Sequence, residues 1–305
     1  MGRLNYKRFI KSRKIRCAIL GLLSFVPDKL MIGIQYRIKL GRKIDWRMPQ
    51  RFSDKLQLYK LKYRNADMLR CTDKYTVREY VKERGCEEYL IPLIGIYDNV
   101  ESIDFNALPN TFVAKTTDGG GGNQVLVCKD KGDITHDSFK STINEWMSTQ
   151  KPKKHVGREW AYNNNLPRRI IIEQLIGDPH SKPVDYKFLC FDGKVKYIYV
   201  ISDRKMGVYA TLGIYNANFE KVDAYRKDEL KPEITLSAPR NYQKMVEIAE
   251  RLSEGFPHAR VDLYNEEGSI YFGELTFYDG SGYISYEPDS FDFELGKHFD
   301  IGSFK

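Results

Sequence analysis

Four consecutive glycines, Gly119 to Gly122, separate two short β-like runs at residues 111–116 and 124–129. Glycine loses more chain entropy on folding than any other residue, so such a tract suits neither a helix nor a strand interior. It marks a loop, and the flanking runs then make an antiparallel hairpin with the glycines at its tip. Backbone N–H groups at a tip of this kind approach a ligand closely and point the same way, which suits phosphate oxygens. Lys115, on the strand below, adds a positive charge. The alternative is an exposed loop with a solvated lysine. The pattern is not the strand-to-helix phosphate loop: G-x-x-x-x-G-K-[ST] occurs nowhere, and G-x-G-x-x-G fails because Gln124 and Val125 stand where the third glycine belongs.

The other periodicities are mixed. Residues 53–69 read as a helix with Ser53 as a cap, and residues 73–85 as a second, started by Thr72 or Asp73 and stopped by Gly85. Residues 90–97 read as a strand, 138–150 as a helix and 169–176 as a strand. Residues 186–191 and 194–202 form a hairpin, because Asp192-Gly193 suits a two-residue type I′ turn. Residues 239–254 place Met245, Ile248, Ala249 and Leu252 on one helical stripe ahead of Gly255. Helices and strands without strict alternation predict an α+β fold. The 305 residues, 42% of them apolar, are enough for two or three domains. The expected division is a basic arm at 1–50, an α/β region at 51–110, a lid with the glycine loop at 111–172 and a C-terminal unit at 173–305.

The last two strands, 260–264 and 269–277, carry Asp262 and Glu274, twelve residues apart. Register decides whether these acids meet. A three-residue loop, Glu266-Glu267-Gly268, with Gly268 in a bulge, sets Arg260 opposite Glu274 and leaves Asp262 its diagonal neighbour on the same face. Two such carboxylates can share Mg²⁺; the alternative is two surface acids, one paired with Arg260. In residues 168–177 a buried strand ends at Glu173. This carboxylate is placed either to accept from an adenine amino group, with the backbone around Leu175 at the ring edge, or to pair with a nearby arginine.

Twelve Lys/Arg against one acid give residues 1–43 a net charge of +11; the other 262 residues, within a total of +8, carry −3. A basic arm on a mildly acidic body argues for a local anionic contact and against a nucleic-acid-binding protein. Its apolar run, residues 17–26, is too short to span a bilayer. It reads either as a basic amphipathic segment on an anionic membrane face or as a first helix packed on the body. The five cysteines are widely spaced, with no C-x-x-C pair, as expected of reduced thiols in a cytosolic protein. The histidines His136, His155, His180, His258 and His298 form no tight motif.

Taken in order, Asp73-Lys74, Val113-Ala114-Lys115 with the glycine loop, Glu173 to Ile176, Arg260-Val261-Asp262 and Glu274-Leu275-Thr276 resemble the ATP-grasp superfamily. Gly157-Arg158-Glu159-Trp160 with Tyr162, Asp185 to Phe188, Gly273 to Phe277 and Gly280-Ser281-Gly282 narrow the likeness to its TupA-like branch, associated with bacterial surface-polysaccharide gene sets, over about residues 50–290. The resemblance implies two α+β lobes sandwiching ATP. It assigns phosphates to Lys74, Lys115 and the loop Gly119, Gly120, Gly121 and Gly122. Adenine falls to Glu173, Gln174 and Leu175, and Lys187 is a weaker phosphate or ribose candidate. Mg²⁺ falls to Asp262, Glu274 and Thr276, the last standing where the family pattern has asparagine. Arg260, with Lys115, is implied in catalysis.

The activity implied is carboxylate–amine ligation through an acyl phosphate. The partners implied are an amino acid and a uronic acid or amino acid, as a small molecule or a lipid-linked glycan precursor, at the inner face of the cytoplasmic membrane. A sugar or small-molecule kinase on the same scaffold is the alternative. A glycosyltransferase ranks lower because no D-x-D motif occurs, and a non-catalytic scaffold is the remaining reading. Arg158, Arg168, Arg169 and Arg204 are candidates to meet an anionic sugar, each with an ion-pairing role as the alternative.

Overall fold

The computed structural model describes residues 12–120, 124–149, 155–163, 165–180, 183–205 and 209–304. Gly121 and Gly122 therefore lie outside the described residues. The arm folds into α1 (Arg13–Leu22), capped by Ser12, and α2 (Asp28–Leu40), stopped by Gly41 at φ 73°. Met31, Ile32 and Tyr36 of α2 are buried against the body.

The single helix expected over 53–69 is two, α3 (Phe52–Lys62) and α4 (Ala66–Cys71). Asn65 divides them, because its side chain accepts from the Asp67 N–H at 2.8 Å and starts α4 afresh. Ser53 is not a cap: it lies inside α3, buried, with its hydroxyl donated to Asp292 at 2.6 Å. Helix α5 (Val77–Glu83) starts later than expected. Asp73 accepts from the N–H groups of Tyr75 and Thr76 at 3.0 and 2.9 Å, which holds that stretch as a turn.

Strands β1 (Leu93–Tyr97), β2 (Phe112–Thr116) and β3 (Val125–Cys128) are followed by α6 (His136–Ser148) and β4 (Ile170–Glu173). The four strands form one antiparallel sheet in the order β1-β4-β2-β3, with β2 and β3 paired across the glycine loop as expected. Phe139 and Ile143 of α6 pack with Phe112, Ile170 and Ile172 in its core.

A second sheet contains β5 (Asp185–Phe191), β6 (Lys194–Lys205) and β7 (Tyr209–Asn216). The β5–β6 turn has φ 49° at Asp192 and 69° at Gly193, the left-handed pair a type I′ hairpin needs. Strand β7 was not expected. Its alternation buries Ala210, Leu212 and Ile214 beside β6. Beyond it come β8 (Tyr225–Arg226), α7 (Tyr242–Ser253), β9 (His258–Glu266), β10 (Ser269–Thr276), β11 (Tyr286–Glu287) and α8 (Ser290–His298). The large sheet runs β10-β9-β5-β6-β7, while β8 and β11 pair separately. The expected stripe of α7 is buried with Ala259, Val261 and Leu263 of β9 in one core. That packing commits one face of β9 to apolar residues and leaves Arg260 and Asp262 on the other. The fold class is α+β, as expected.

The register of β9 and β10 differs from expectation. Glu266 pairs with Ser269, so the loop is two residues, Glu267-Gly268, both at positive φ. Without correction that register sets Asp262 and Glu274 on opposite faces. A bulge at Gly273 slips it by one residue, and Glu274 then sits directly opposite Asp262, with Thr276 opposite Arg260. The acids share a face as expected, through a bulge rather than a longer loop. A parallel bridge from Leu90 to Phe272 ties β10 to the chain entering the smaller sheet.

Candidate active site

Residues two apart on a strand share a face, and pairing extends that face across neighbouring strands. Lys187 on β5 lies opposite Asp262, and Asp262 lies opposite Glu274. A row of one base and two acids thus crosses three strands. Arg260 closes it. Its Nε donates to Asp262 Oδ1 at 2.7 Å and its Nη2 to Asp262 Oδ2 at 2.8 Å, a bidentate pair. The same Nη2 donates to Glu274 at 2.9 Å and Thr276 at 3.1 Å. Its Nη1 donates to Asp279, a buried carboxylate from the turn after β10 that the sequence reading missed. Its only signal was an acid just before Gly280-Ser281-Gly282.

The three expected metal donors therefore converge on one positively charged nitrogen, the Arg260 Nη2. Among the described residues no group of three or more His, Cys, Asp or Glu is placed to hold a metal. Two carboxylates and a hydroxyl nonetheless suit Mg²⁺, which keeps several waters and takes substrate phosphates as further ligands. Burial opposes ionisation of Glu274, but Arg260, Lys187 and Lys74 outweigh it and hold its carboxyl down at about 2. Burial pushes Asp262 up, against Arg260 and Lys187. Lys187 is committed to Asp262 and, at 3.0 Å, to Asp185.

Above this row opens a cleft of about 1410 Å³ that Lys74, Gly119, Gly120, Arg260, Glu274 and Thr276 all line. Lys74 donates its ammonium to the Gly119 carbonyl and its backbone N–H to Thr117 at 2.9 Å, so it holds the root of the glycine loop. Burial lowers its pKa, with Glu274 opposing and Lys115 adding to the effect. Lys115 is not on the cleft. It pairs with Glu173 at 2.8 Å, and Arg78 takes the other carboxylate oxygen at 3.1 Å. Lys115, Glu173 and Arg78 share with Lys74 a smaller cavity of about 20 Å³, room for one water. Gln174 and Leu175 follow β4, and the Gln174 N–H donates to Pro92 at 3.0 Å.

Three of the four arginines proposed for a sugar have internal partners. Arg158 donates to Leu23 at 2.7 Å, Arg168 bonds Asp118 at 2.9 Å, and Arg169 lies over the Tyr75 ring at 4.5 Å. Arg204 lies on β6.

Several solved structures are similar to this chain. A D-alanine–D-alanine ligase from Bacillus anthracis complexed with ATP is 17% identical over 68% of this chain and 54% of its own, with a TM-score of 0.41. An L-amino acid ligase from Bacillus licheniformis is 15% identical over 70% and 42%, with a TM-score of 0.41. A D-alanine–D-alanine ligase from Helicobacter pylori is 15% identical over 75% and 61%, with a TM-score of 0.42. The chain spans about half the length of these proteins. No curated protein matches it. The family model of the TupA-like ATP-grasp proteins matches residues 54–300, and the chain belongs to that family.

Proposed function

We propose that the protein is an ATP-dependent carboxylate–amine ligase. The observation that carries this reading is the convergence of Asp262, Glu274 and Thr276 on one cationic centre, Arg260, in a cleft that Lys74, Gly119 and Gly120 also line. A carboxylate oxygen of one substrate attacks the γ-phosphorus of ATP, the bond to the bridging oxygen breaks, and ADP leaves. The amine of the second substrate then attacks the acyl carbon. The C–N bond forms, the C–O bond to phosphate breaks with its electron pair, and the protons shed by nitrogen pass to phosphate and solvent.

Lys74 and the glycine-loop N–H groups hold the phosphates, with Lys115 held ready by Glu173. Adenine is assigned to Glu173, Gln174 and Leu175, and Lys187 steadies Asp262. Mg²⁺, when held by Asp262, Glu274 and Thr276, neutralises phosphate charge. Arg260 steadies the transferring phosphoryl group and then the acyl phosphate. Such catalysis is mostly positioning and charge compensation, and needs no nucleophilic side chain.

The substrates assigned are an amino acid and a uronic acid or amino acid of a bacterial surface-polysaccharide precursor. The arm places the enzyme on the inner membrane face, where a lipid-linked precursor is presented. Its helices expose Ile15, Ile19, Leu22, Phe25, Leu30 and Ile34 amid its basic residues. Among the described residues no helix is long and apolar enough to cross a membrane.

The test is incubation with Mg-ATP, glucuronate or galacturonate, and an amino-acid mixture, followed by mass spectrometry and phosphate release. A condensed product, with phosphate release dependent on both carboxylate and amine, is expected. A phosphorylated sugar without amide would identify a kinase instead. Full ATP turnover without any amine would also overturn the ligase reading.

A further inference from the structure

Glu159 stands on the wall of the same cleft and is not among the residues assigned to ATP. It opens the short turn Trp160–Tyr162 and faces the turn Asp279–Gly282. Ser281 donates its hydroxyl to Glu159 Oε1, and the His155 Nδ1 lies 3.1 Å from Oε2. The carboxylate is only 6% exposed. Among the described residues, no lysine or arginine is within ion-pair distance of it. Its buried neighbour Lys60 instead donates to the carbonyls of Gly157 at 3.1 Å and Ser281 at 2.6 Å. Burial pushes Lys60 down to about 7 and lowers His155 as well. A buried carboxylate bonded to one hydroxyl and flanked by an imidazole is poorly compensated, and its environment favours a cation.

The walls around it suit one. Burial raises the phenols of Tyr162 and Tyr278, and Glu159 raises both further, so both rings lie within its field. The Tyr162 ring stacks on His155 with centroids 5.2 Å apart and lies 6.3 Å from the Tyr278 ring, so the three rings stand side by side. His155, Glu159, Tyr162, Tyr278 and Ser281 line the same cleft as Arg260 and Glu274. The backbone is built to present Ser281. Gly280, Ser281 and Gly282 have φ of 51°, 57° and 66°, a conformation in which a non-glycine residue such as Ser281 is strained. Gln57 donates to the carbonyls of Ser281 and Gly282 at 3.2 and 2.8 Å and holds the turn in place.

We propose that this pocket receives the amine substrate: Glu159, oriented by Ser281 and His155 and walled by Tyr162 and Tyr278, binds its ammonium group. A carboxylate accepts several donors, and aromatic faces attract a cation, so together they match a group with three N–H donors. The assignment rests on the ligase reading and names the class of its second substrate, a free amine that docks as its ammonium and passes one proton to the Glu159 carboxylate before its nitrogen attacks.

The experiment is saturation-transfer NMR on the full chain with Mg²⁺ and adenylyl imidodiphosphate, using the common amino acids and their N-acetyl forms. Wild type is expected to bind at least one free amino acid and not its acetylated form. Glu159→Gln is expected to weaken that binding about tenfold or more, the equivalent of about 1.4 kcal/mol. Glu159→Asp restores part of it, and Ser281→Ala has a smaller effect, all with nucleotide affinity unchanged. Absence of free-amine binding by wild type, equal binding of acetylated forms, or equal binding by Glu159→Gln overturns the proposal. So does a parallel loss of nucleotide and amine affinity in both Glu159→Gln and Ser281→Ala, which marks a structural pillar. A wild type that binds free amino acids but makes no amide sinks the ligase reading alone. Amide synthesis by Glu159→Gln at an unchanged amine KM sinks the receptor alone.

Discussion

Arg260 donates to Asp262, Glu274, Thr276 and Asp279 at once. Asp279, 1% exposed, is also 3.7 Å from Arg226, so it is fixed from behind. It pulls Nη1 away from the cleft, which leaves Nη2 facing Glu274 and Thr276. Replacing one partner of a buried pair leaves an uncompensated charge, and a small misplacement of a catalytic group costs on the order of 10²-fold in rate. Asp279→Asn is therefore expected to lower kcat by roughly that factor while nucleotide affinity changes little. Steady-state kinetics beside calorimetry checks this, and an unchanged kcat would remove Asp279 from the positioning of Arg260. At this scale the sequence was partly legible. Arg260 and Asp262 follow the two-residue period, and Glu274 could be tied to them by counting across the hairpin. Asp279 could not, because a left-handed turn, not a strand register, brings it to the guanidinium. Glu159 and Ser281, 122 positions apart in the chain, meet only through tertiary packing.

Among elements, the β9–β10 hairpin sets the site, and Gly273 sets the hairpin. A lone glycine in a strand pattern has several readings, of which a bulge is one; the turn residues alone left the loop length ambiguous. The glycine loop and the Asp192-Gly193 turn were legible because their residue types admit few conformations. The break between α3 and α4 was not, since Asn65 is equally at home in a loop or as a cap. A Cβ at Gly273 would meet the Asp262 carbonyl oxygen and the Tyr264 ring at 3.1 Å each. Valine adds two methyl groups to that crowding, and overpacking of this kind costs roughly 1–3 kcal/mol. Gly273→Val is expected to push β10 off β9, lower Tm by several degrees, and weaken Mg-nucleotide binding at least about tenfold. Thermal unfolding with and without Mg-ATP is the measurement. A variant that binds the nucleotide normally would show that the bulge is not what aligns Glu274 with Asp262.

At the scale of the whole molecule, the arm joins two surfaces. Its inner side belongs to the body: Arg158 donates to the Leu23 and Ser24 carbonyls, Gln35 bonds Val156 at 2.8 Å, and Cys17, Ala18, Gly21 and Lys39 line the cleft. Its outer side exposes Leu22 at 78% and Phe25 at 79%. The two sequence readings of the arm, packed helix and membrane contact, are thus compatible, since each concerns a different side. Burying Leu22 and Phe25 in a lipid interface contributes roughly 1.5–3 kcal/mol each. Each Lys or Arg close to an anionic surface adds about 1 kcal/mol. Neither contribution anchors the chain alone, so binding should need both apolar insertion and surface charge. The full chain is expected to co-sediment with phosphatidylglycerol-containing vesicles and not with phosphatidylcholine alone, and to be released by salt as the charges are screened. Leu22→Ser with Phe25→Ser is expected to abolish sedimentation and leave Mg-nucleotide affinity intact, because neither residue is among those lining the cleft. Equal binding to both vesicle types, or retention by the double variant, would overturn the membrane assignment. A shift from dimer to monomer in the double variant, seen by light scattering, would reassign this face to a second copy of the chain. With the assignment upheld, the cleft opens beside a wall that lies on lipid, and a glycan carried on a lipid reaches Arg260 without leaving the membrane.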